Sequence, residues 1–391
     1  MIAAGLPQRF KVGFDPNSQI FSLAGTIRPR SIDEIAESIH ALREAIDAVR
    51  GVLYIDVKRL IQMNNTAFQA FIRVALDACR ERSDLRLVIV TSSVVSWTTR
   101  MFRHLSTIEP QISVEVYDSM FYPGQDYFED TSFIPILRAQ TKLTWRHERT
   151  ILPRHGMRPG IAVADICCGI GDFAVLAQKE FQPARIVALD HSKPSLAYAR
   201  KVAAEFGVTG IEYTYGDASE MLLEDNQFDF VACRHSVQVF NQPELLLKEL
   251  YRIVKPGGRV YITNEKNSHC LGEPRAQSIQ WTYNELARLL SNFEIDVEFG
   301  PKSRRYLADT GFDDILVESF MVTNLDGDPQ DFADIIAGWE KMFADMAMRH
   351  GEAPEFIERF RQGFRDHIFA ALHPKGYAGW PIWAASGRKP L

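Results

Sequence analysis

Cysteine is scarce in this chain: five in 391 residues, at Cys79, Cys167, Cys168, Cys233 and Cys270, an odd count with no C-x-x-C pair. That pattern supports neither a disulfide framework nor a cysteine-based zinc site. The ten histidines show no H-x-x-x-H spacing, so no metal is implied. Phosphate-loop and serine-hydrolase signatures are missing as well. No apolar run approaches the ~20 residues needed to span a bilayer, and Met1–Phe10 lacks the apolar core of a signal peptide. A soluble protein in a reducing, cytoplasmic setting, with no membrane partner, is expected. Positive charge is also short. Lys plus Arg number 44 against 50 acidic residues, a net charge of −6, which weighs against a nucleic-acid partner.

What is present is ordinary globular material, 46% apolar and 24% charged. At roughly 150 residues per domain the length predicts two or three domains. No internal repeat or low-complexity tract is visible. Over residues 10–120, strand and helix signals alternate. Phe10–Phe14 and Ile20–Ala24 flank the turn tetrapeptide Asp15-Pro-Asn-Ser18, suggesting a hairpin. Ser31-Ile-Asp-Glu34 reads as a capping box in which serine and glutamate satisfy orphan amides reciprocally. Ile32, Ile35, Ile39, Leu42, Ile46 and Val49 then form one helical apolar stripe, with Gly51 as a stop. Leu53–Val57, Leu85–Val90 and Ile112–Tyr117 read as strands; Thr66–Arg80 and Trp97–Leu105 read as helices. The order β-β-α-β-α-β-α-β is one α/β domain.

That order, with Leu53-Tyr-Ile-Asp-Val57 and Met63-Asn-Asn-Thr-Ala-Phe68, resembles the STAS domain of anti-sigma-factor antagonists. The resemblance implies a phosphorylated serine at a helix N-terminus. Here that position carries Asn64-Asn65 and then Thr66, so the phosphoacceptor is absent, and Asn65 or Thr66 is expected simply to cap the helix. An exposed edge on this sheet is compatible with a homodimer. Residues 121–157 form a helical connector rich in aromatic and basic side chains.

The second half carries the chemistry. Ile161-Ala-Val-Ala-Asp-Ile166 is an apolar strand that runs into Cys167-Cys-Gly-Ile-Gly171 and then a helix. In such a strand–loop–helix turn, backbone amides approach a nucleotide-like ligand closely. A second strand, Arg185–Asp190, ends in an acid 19 residues beyond Gly171, placed to hold ribose hydroxyls. Ile211–Tyr215 runs into Gly216-Asp217-Ala218. Phe228–Cys233 is a fourth strand, and Lys255-Pro-Gly-Gly258 turns into a fifth, Arg259–Asn264.

Together these resemble the class I S-adenosylmethionine (SAM)-dependent methyltransferases, in particular the ubiquinone/menaquinone-like branch. The resemblance implies a Rossmann-like sheet over 158–391 and SAM as cofactor. It assigns Gly169 and Gly171 to the methionyl part and sugar, Asp190 to the ribose, and Asp217 to the adenine amine. His191 and Ala218 would flank the adenine, and Asp165 would meet the amino group directly or through water. The family's first loop glycine is Cys167 here, tolerable at negative φ. Ile315–Thr323 and Trp380–Ser386 resemble the closing antiparallel pair of that sheet. Between them, Asp331–Leu372 carries two helical apolar stripes, one through Trp339 and one through Phe364, either packing together or forming a lid over the site.

Methyl transfer from a sulfonium is an in-line displacement that depends on positioning and exclusion of water. Ligands of open α/β sheets lie beyond the strand C-termini, which singles out residues after strands four and five. His235 is the first candidate for general base, because imidazole titrates near neutrality. Glu265 and His269 are further candidates. Arg234 can hold the methionyl carboxylate or the substrate, or form a structural ion pair. Tyr122, Tyr127, Trp145, Trp281 and Tyr283 are candidates to line an acceptor pocket or simply to pack. The expected activity is methylation of an O, N or C nucleophile on a small molecule. Two alternatives remain: a SAM enzyme with a different reaction, and a regulatory protein that senses SAM while its STAS-like half docks a partner.

Overall fold

The computed structural model describes residues 10–16, 19–58, 60–92, 96–117, 133–240, 242–293 and 295–391. The chain divides into two compact units, one of residues 1–123 with 345–357 and the other of 124–344 with 358–391. Tyr122 and Tyr127 lie outside the described residues. Among the described residues no helix is long and apolar enough to cross a membrane.

The first unit runs β1 (Phe10–Asp15), β2 (Ile20–Ile27), α1 (Ala36–Ala48), β3 (Val52–Asp56), β4 (Leu60–Met63), α2 (Asn65–Glu81), β5 (Arg86–Ser92), α3 (Ser96–Ile108) and β6 (Ile112–Tyr117). Its sheet has the order β1-β2-β3-β5-β6, with β4 paired to β2. Among the described residues of this sheet, only the β1–β2 pair is antiparallel. Phe21, Leu53, Leu87 and Ile112 from the strands meet Leu42, Ile46, Phe71 and Val74 from the helices in one core.

Three local expectations need correction. Strand β4 was not anticipated, since Leu60-Ile-Gln-Met63 has no alternation and is too short to announce itself; it pairs with Gly25–Ile27 of β2. Ser31 makes no side-chain cap, and Glu34 instead accepts the backbone N–H of Arg30 at 3.0 Å while the chain enters α1 through a 3-10 turn. The cap of α2 is Asn64, one residue earlier than expected. Its Oδ1 accepts from Ala67 N at 3.0 Å, and its Nδ2 donates to Pro29 O at 2.9 Å.

The second unit begins with α4 (Ile134–Ile151), from the expected connector. It continues through β7 (Ala162–Ile166), α5 (Asp172–Phe181), β8 (Arg185–Asp190), α6 (Lys193–Glu205), β9 (Ile211–Tyr215), β10 (Phe228–Arg234), α7 (Pro243–Ile253) and β11 (Val254–Glu265). Then come β12 (Leu271–Glu273), α8 (Ala276–Ser291), α9 (Ser303–Thr310), β13 (Asp313–Thr323), α10 (Pro329–His350) and α11 (Pro354–Leu372), of which residues 345–357 group with the first unit, and β14 (Tyr377–Arg388). The eight-stranded sheet has the order β12-β14-β11-β10-β7-β8-β9, with β13 also on β14. Strands β9, β8, β7, β10 and β11 are parallel, and β14 runs antiparallel between β11 and β13. This is a Rossmann-like, mixed α/β sheet, as expected. The central strands are apolar on both faces because helices cover both, the usual state of a parallel sheet. Lys255-Pro-Gly-Gly258 forms a bulge in β11, where the pairing to β10 jumps from Val254 to Arg259.

Candidate active site

Parallel strands bring their C-termini to one edge, and the side chains singled out by sequence collect there. Asp165 on β7 pairs in register with Ala188 of β8 and Ala232 of β10, so it sits between the strands that end in Asp190 and Arg234. The loop after β7 is tied down by backbone bonds from Cys168 N to Leu189 O (3.0 Å) and from Gly171 N to Cys168 O (2.9 Å). Asp190 then pins two loops at once. Its Oδ2 accepts from Gly169 N and its Oδ1 from Ser192 N, each at 2.8 Å. A carboxylate offers about four lone-pair sites, so both oxygens can still accept from hydroxyls.

The two loop glycines differ in purpose. Gly171 has φ +75°, and a β-carbon there would lie 2.8 Å from Ala199 Cβ and 3.2 Å from the Tyr213 ring, so packing of the helix on the strand requires glycine. Gly169 has φ +52° and faces open space, leaving backbone bare toward whatever approaches the loop. Cys167 corrects the expectation of negative φ. It stands at φ +58°, in the left-handed region where glycine is the usual residue. His235, which follows β10, is likewise at φ +54°. Among the described residues seven non-glycine residues have positive φ, and these two stand at adjacent strand ends.

Asp165 is buried, and its Oδ2 has no hydrogen-bond partner. Burial pushes its pKa up to about 7; Arg234 opposes the rise, while Asp190 and Glu148 reinforce it. An orphaned buried carboxylate at the strand end that leads into a bare glycine loop fits a ligand that brings an ammonium group. Asp217 is half-buried after β9. Its Oδ1 accepts from Ser219 N (2.8 Å) and Ser219 Oγ (2.7 Å), and Ala218 beside it is buried. His191 lies at the same edge with Nδ1 3.6 Å from Asp190 Oδ1.

Arg234 is tied to protein groups through Nε and Nη2. Its guanidinium is bonded to Glu148 of α4, donates to Thr144 Oγ1 at 3.0 Å, and stacks 4.8 Å from the Phe173 ring centre. Glu148 is fully buried and also accepts from Tyr261 OH at 3.1 Å. Burial alone would raise the Glu148 pKa, but the Arg234 charge and hydrogen bonds hold it below the ordinary range. The alternative of a structural ion pair describes this geometry. Glu148 and Thr144 escaped sequence reasoning because their partner is more than 80 residues away.

The two residues proposed as catalytic are brought together. His235 Nδ1 lies 2.6 Å from Glu265 Oε1. Beside an ionised carboxylate, which only accepts, Nδ1 is the donor of this bond. His235 N donates to Thr263 O at 2.8 Å, a backbone bond to β11, and Glu265 N donates to the side-chain Oε1 of Gln238 at 2.9 Å, so both members are held in place. His235 Nε2, Glu265 Oε2 and Asn267 Oδ1 are buried without partners. His269 is exposed and outside this pair. Trp145 packs on Phe173 and Phe181 and donates to Glu180 Oε2 at 3.2 Å, a structural role. Trp281 lies under the Arg359 guanidinium, 3.8 Å from its ring centre. Tyr283 donates or accepts at His367 Nδ1 (2.7 Å) and presents its ring edge to Trp339.

Residues 164–262, which span the glycine loop and His235 and stop short of Glu265, match the methyltransferase-domain family. The demethylmenaquinone methyltransferase of Oceanobacillus iheyensis is 28% identical over 151 residues, 38% of this chain and 63% of that protein. Its counterpart from Listeria monocytogenes is 30% identical over 128 residues, 32% of this chain and 52% of that protein. The chain thus spans between about half and just under two thirds of these relatives. Among solved structures, a methyltransferase from Bacillus halodurans is 19% identical, covering 62% of this chain and 98% of its own, with a TM-score of 0.42. Phosphoethanolamine N-methyltransferase 2 of Haemonchus contortus, in complex with S-adenosyl-L-methionine, is 18% identical and covers 94% of each chain, with a TM-score of 0.45.

Proposed function

We propose that this chain, whose second unit is built on a class I methyltransferase domain, moves the methyl group of SAM to an O, N or C nucleophile of a small molecule. SAM supplies an electrophilic methyl carbon on a sulfonium; the chain supplies position and protection from water. Asp190 holds the ribose hydroxyls while keeping the Gly169 amide in place. Asp165 takes the amino group, Asp217 takes the adenine amine, and His191 and Ala218 line the base. Gly169 and Gly171 let the backbone come close, and Cys167 narrows that approach. Arg234 acts through Glu148 as a positioning residue behind the site rather than as a ligand. The His235–Glu265 pair is the proton acceptor.

The observation that carries this reading is the single edge at which Asp165, Asp190 and the bare Gly169 backbone meet. The first unit is read as a STAS-like domain on its element order, with β4 and the missing serine as departures. All five cysteines are free, which suits a reducing, cytoplasmic setting.

The test is calorimetric. S-adenosylhomocysteine should bind the wild-type chain, and Asp190→Ala should weaken it by about 10- to 100-fold, the effect of losing hydrogen bonds to a charged group at roughly 1.5–3 kcal/mol. Unchanged affinity would remove Asp190 from the assignment. Absence of binding to the wild type would remove the activity itself.

A further inference from the structure

A cation stands beside the proposed cofactor cradle and is kept out of it. Asp165 pairs in register with Ala188 of β8 and with Ala232 of β10, and Ala232 pairs in turn with Tyr261 of β11. The two flanking alanines offer the Asp165 carboxylate nothing polar, and its Oδ2 is buried without a partner. Arg234 comes two residues after Ala232 on the same strand, so its side chain starts from the same face of the sheet as Asp165. One strand across and two residues along is roughly 8 Å between α-carbons, within the span of an arginine side chain. A buried carboxylate and a free guanidinium at that separation would close into a charge-assisted pair.

Glu148 stands against that closure. Helix α4 packs on this face, where Trp145, Ile151 and Leu152 share a core with Val163, Ala232 and Tyr261. From α4 the buried Glu148 receives Arg234 Nε at 2.9 and 3.1 Å on its two oxygens, bonds Nη2 as well, and accepts from Tyr261 OH at 3.1 Å. Thr144, one turn earlier, accepts from Nη2 at 3.0 Å. The guanidinium is therefore bonded to α4 and not to Asp165 Oδ2. Arg234 ties the helix to β10, and Glu148 lets it do so without capturing the acid at the strand end. A buried ion pair is weak evidence for stability, since apolar groups of similar volume often serve as well. The further titratable groups that face Asp165 are Asp190 on β8, Cys168 in the loop and Tyr213 on β9, each neutral or anionic.

We infer that Glu148 is a positioning residue for cofactor binding: it holds the Arg234 guanidinium on α4 and so leaves the Asp165 carboxylate to the ammonium group of the ligand. This deepens the methyltransferase reading and rests on it. Helix α4 then belongs to the cofactor site, although its residues lie before the stretch 164–262 that matches the methyltransferase-domain family.

The experiment is calorimetric and uses the full chain with two ligands. S-adenosylhomocysteine carries the ammonium group; methylthioadenosine keeps the adenosine and the sulfur but lacks the amino-acid end. Glu148→Gln keeps the shape of the side chain and removes its charge, which frees Arg234 to turn to Asp165. S-adenosylhomocysteine should then bind about 10- to 100-fold more weakly at about pH 8, as when a hydrogen bond to a charged group is lost. Methylthioadenosine, with no ammonium to lose, should change by less than about twofold. In the wild type, affinity for S-adenosylhomocysteine should rise as Asp165 ionises toward about pH 7. A guanidinium closed on Asp165 ionises it at lower pH, so in Glu148→Gln that rise should flatten between about pH 5 and pH 8. The double variant Glu148→Gln/Arg234→Met removes both charges, keeps an unbranched side chain against the Phe173 ring, and should recover most of the affinity and the pH dependence. Equal weakening of both ligands in Glu148→Gln would make Glu148 a residue of the fold alone and overturn the inference; so would unchanged or tighter binding of S-adenosylhomocysteine. If the single variant does not fold, the double variant decides: selective loss of S-adenosylhomocysteine there overturns the inference, and retention supports it. Wild-type chain that binds neither ligand would instead overturn the reading beneath it.

Discussion

Asp165 is the residue whose environment makes the sharpest demand. With a pKa near 7 in the folded chain against about 3.9 when unfolded, its carboxyl is held protonated by burial. A group whose folded pKa is raised binds more protons folded than unfolded, so its contribution to stability falls as pH rises from about 4 to about 7. Asp165→Asn removes that dependence. The stability gap between variant and wild type in urea should therefore widen in the variant's favour from pH 5 to pH 8. Binding an ammonium group has the opposite sign, because it needs the ionised carboxylate. Wild-type affinity for S-adenosylhomocysteine should drop as pH falls through about 7, and Asp165→Asn should flatten that slope in calorimetric titrations.

The acids at 165 and 190 were legible in sequence because apolar strands end on them at regular intervals. The left-handed conformation of Cys167 was not legible, since φ leaves no mark in a residue's name. Nor was the Glu148–Arg234–Tyr261 network, which is assembled from three elements distant in sequence and carries no local pattern. His235 and Glu265 could be named separately as strand-end residues, but their bond depends on the relative register of β10 and β11.

At the scale of elements, the paired helices α10 and α11 are set by close approach to neighbours rather than by their apolar stripes alone. A β-carbon at Gly363 of α11 would fall 1.8 Å from Thr282 Oγ1 and 2.9 Å from the Ser278 carbonyl oxygen, both on α8. At Gly338 of α10 it would meet Ile136 Cδ1 of α4 at 2.4 Å. The second neighbour is the far end of a flexible side chain and can turn aside. The first includes backbone, so the helices must separate. Gly363→Ala should therefore destabilise the protein by about 1–3 kcal/mol in denaturant titrations, and Gly338→Ala by less, despite the gain in helix propensity. The stripes through Trp339 and Phe364 announced two helices; the glycines that let them nest read only as poor helix formers.

At the scale of the whole molecule, each unit has a core of its own. One is gathered about Phe21, Leu53 and Phe71, and the other about Phe230, Tyr261 and Leu250 with their neighbours. A ligand that binds only the folded second unit raises that unit's stability alone, by about 2.7 kcal/mol at a concentration 100 times its Kd. Scanning calorimetry should resolve two transitions, of which S-adenosylhomocysteine at that excess moves one upward. A single transition that shifts as a whole would show that the units melt together.

Strand β14 is bonded to β11 along one side and to β13 along the other, yet it is the last of the three to be made. During translation, then, β11 and β13 must be held with open edges until residues 377–388 leave the ribosome tunnel. Such edges invite pairing with strangers. A stall or frameshift upstream of Tyr377 would yield a nascent chain prone to clump, one for chaperones to shield.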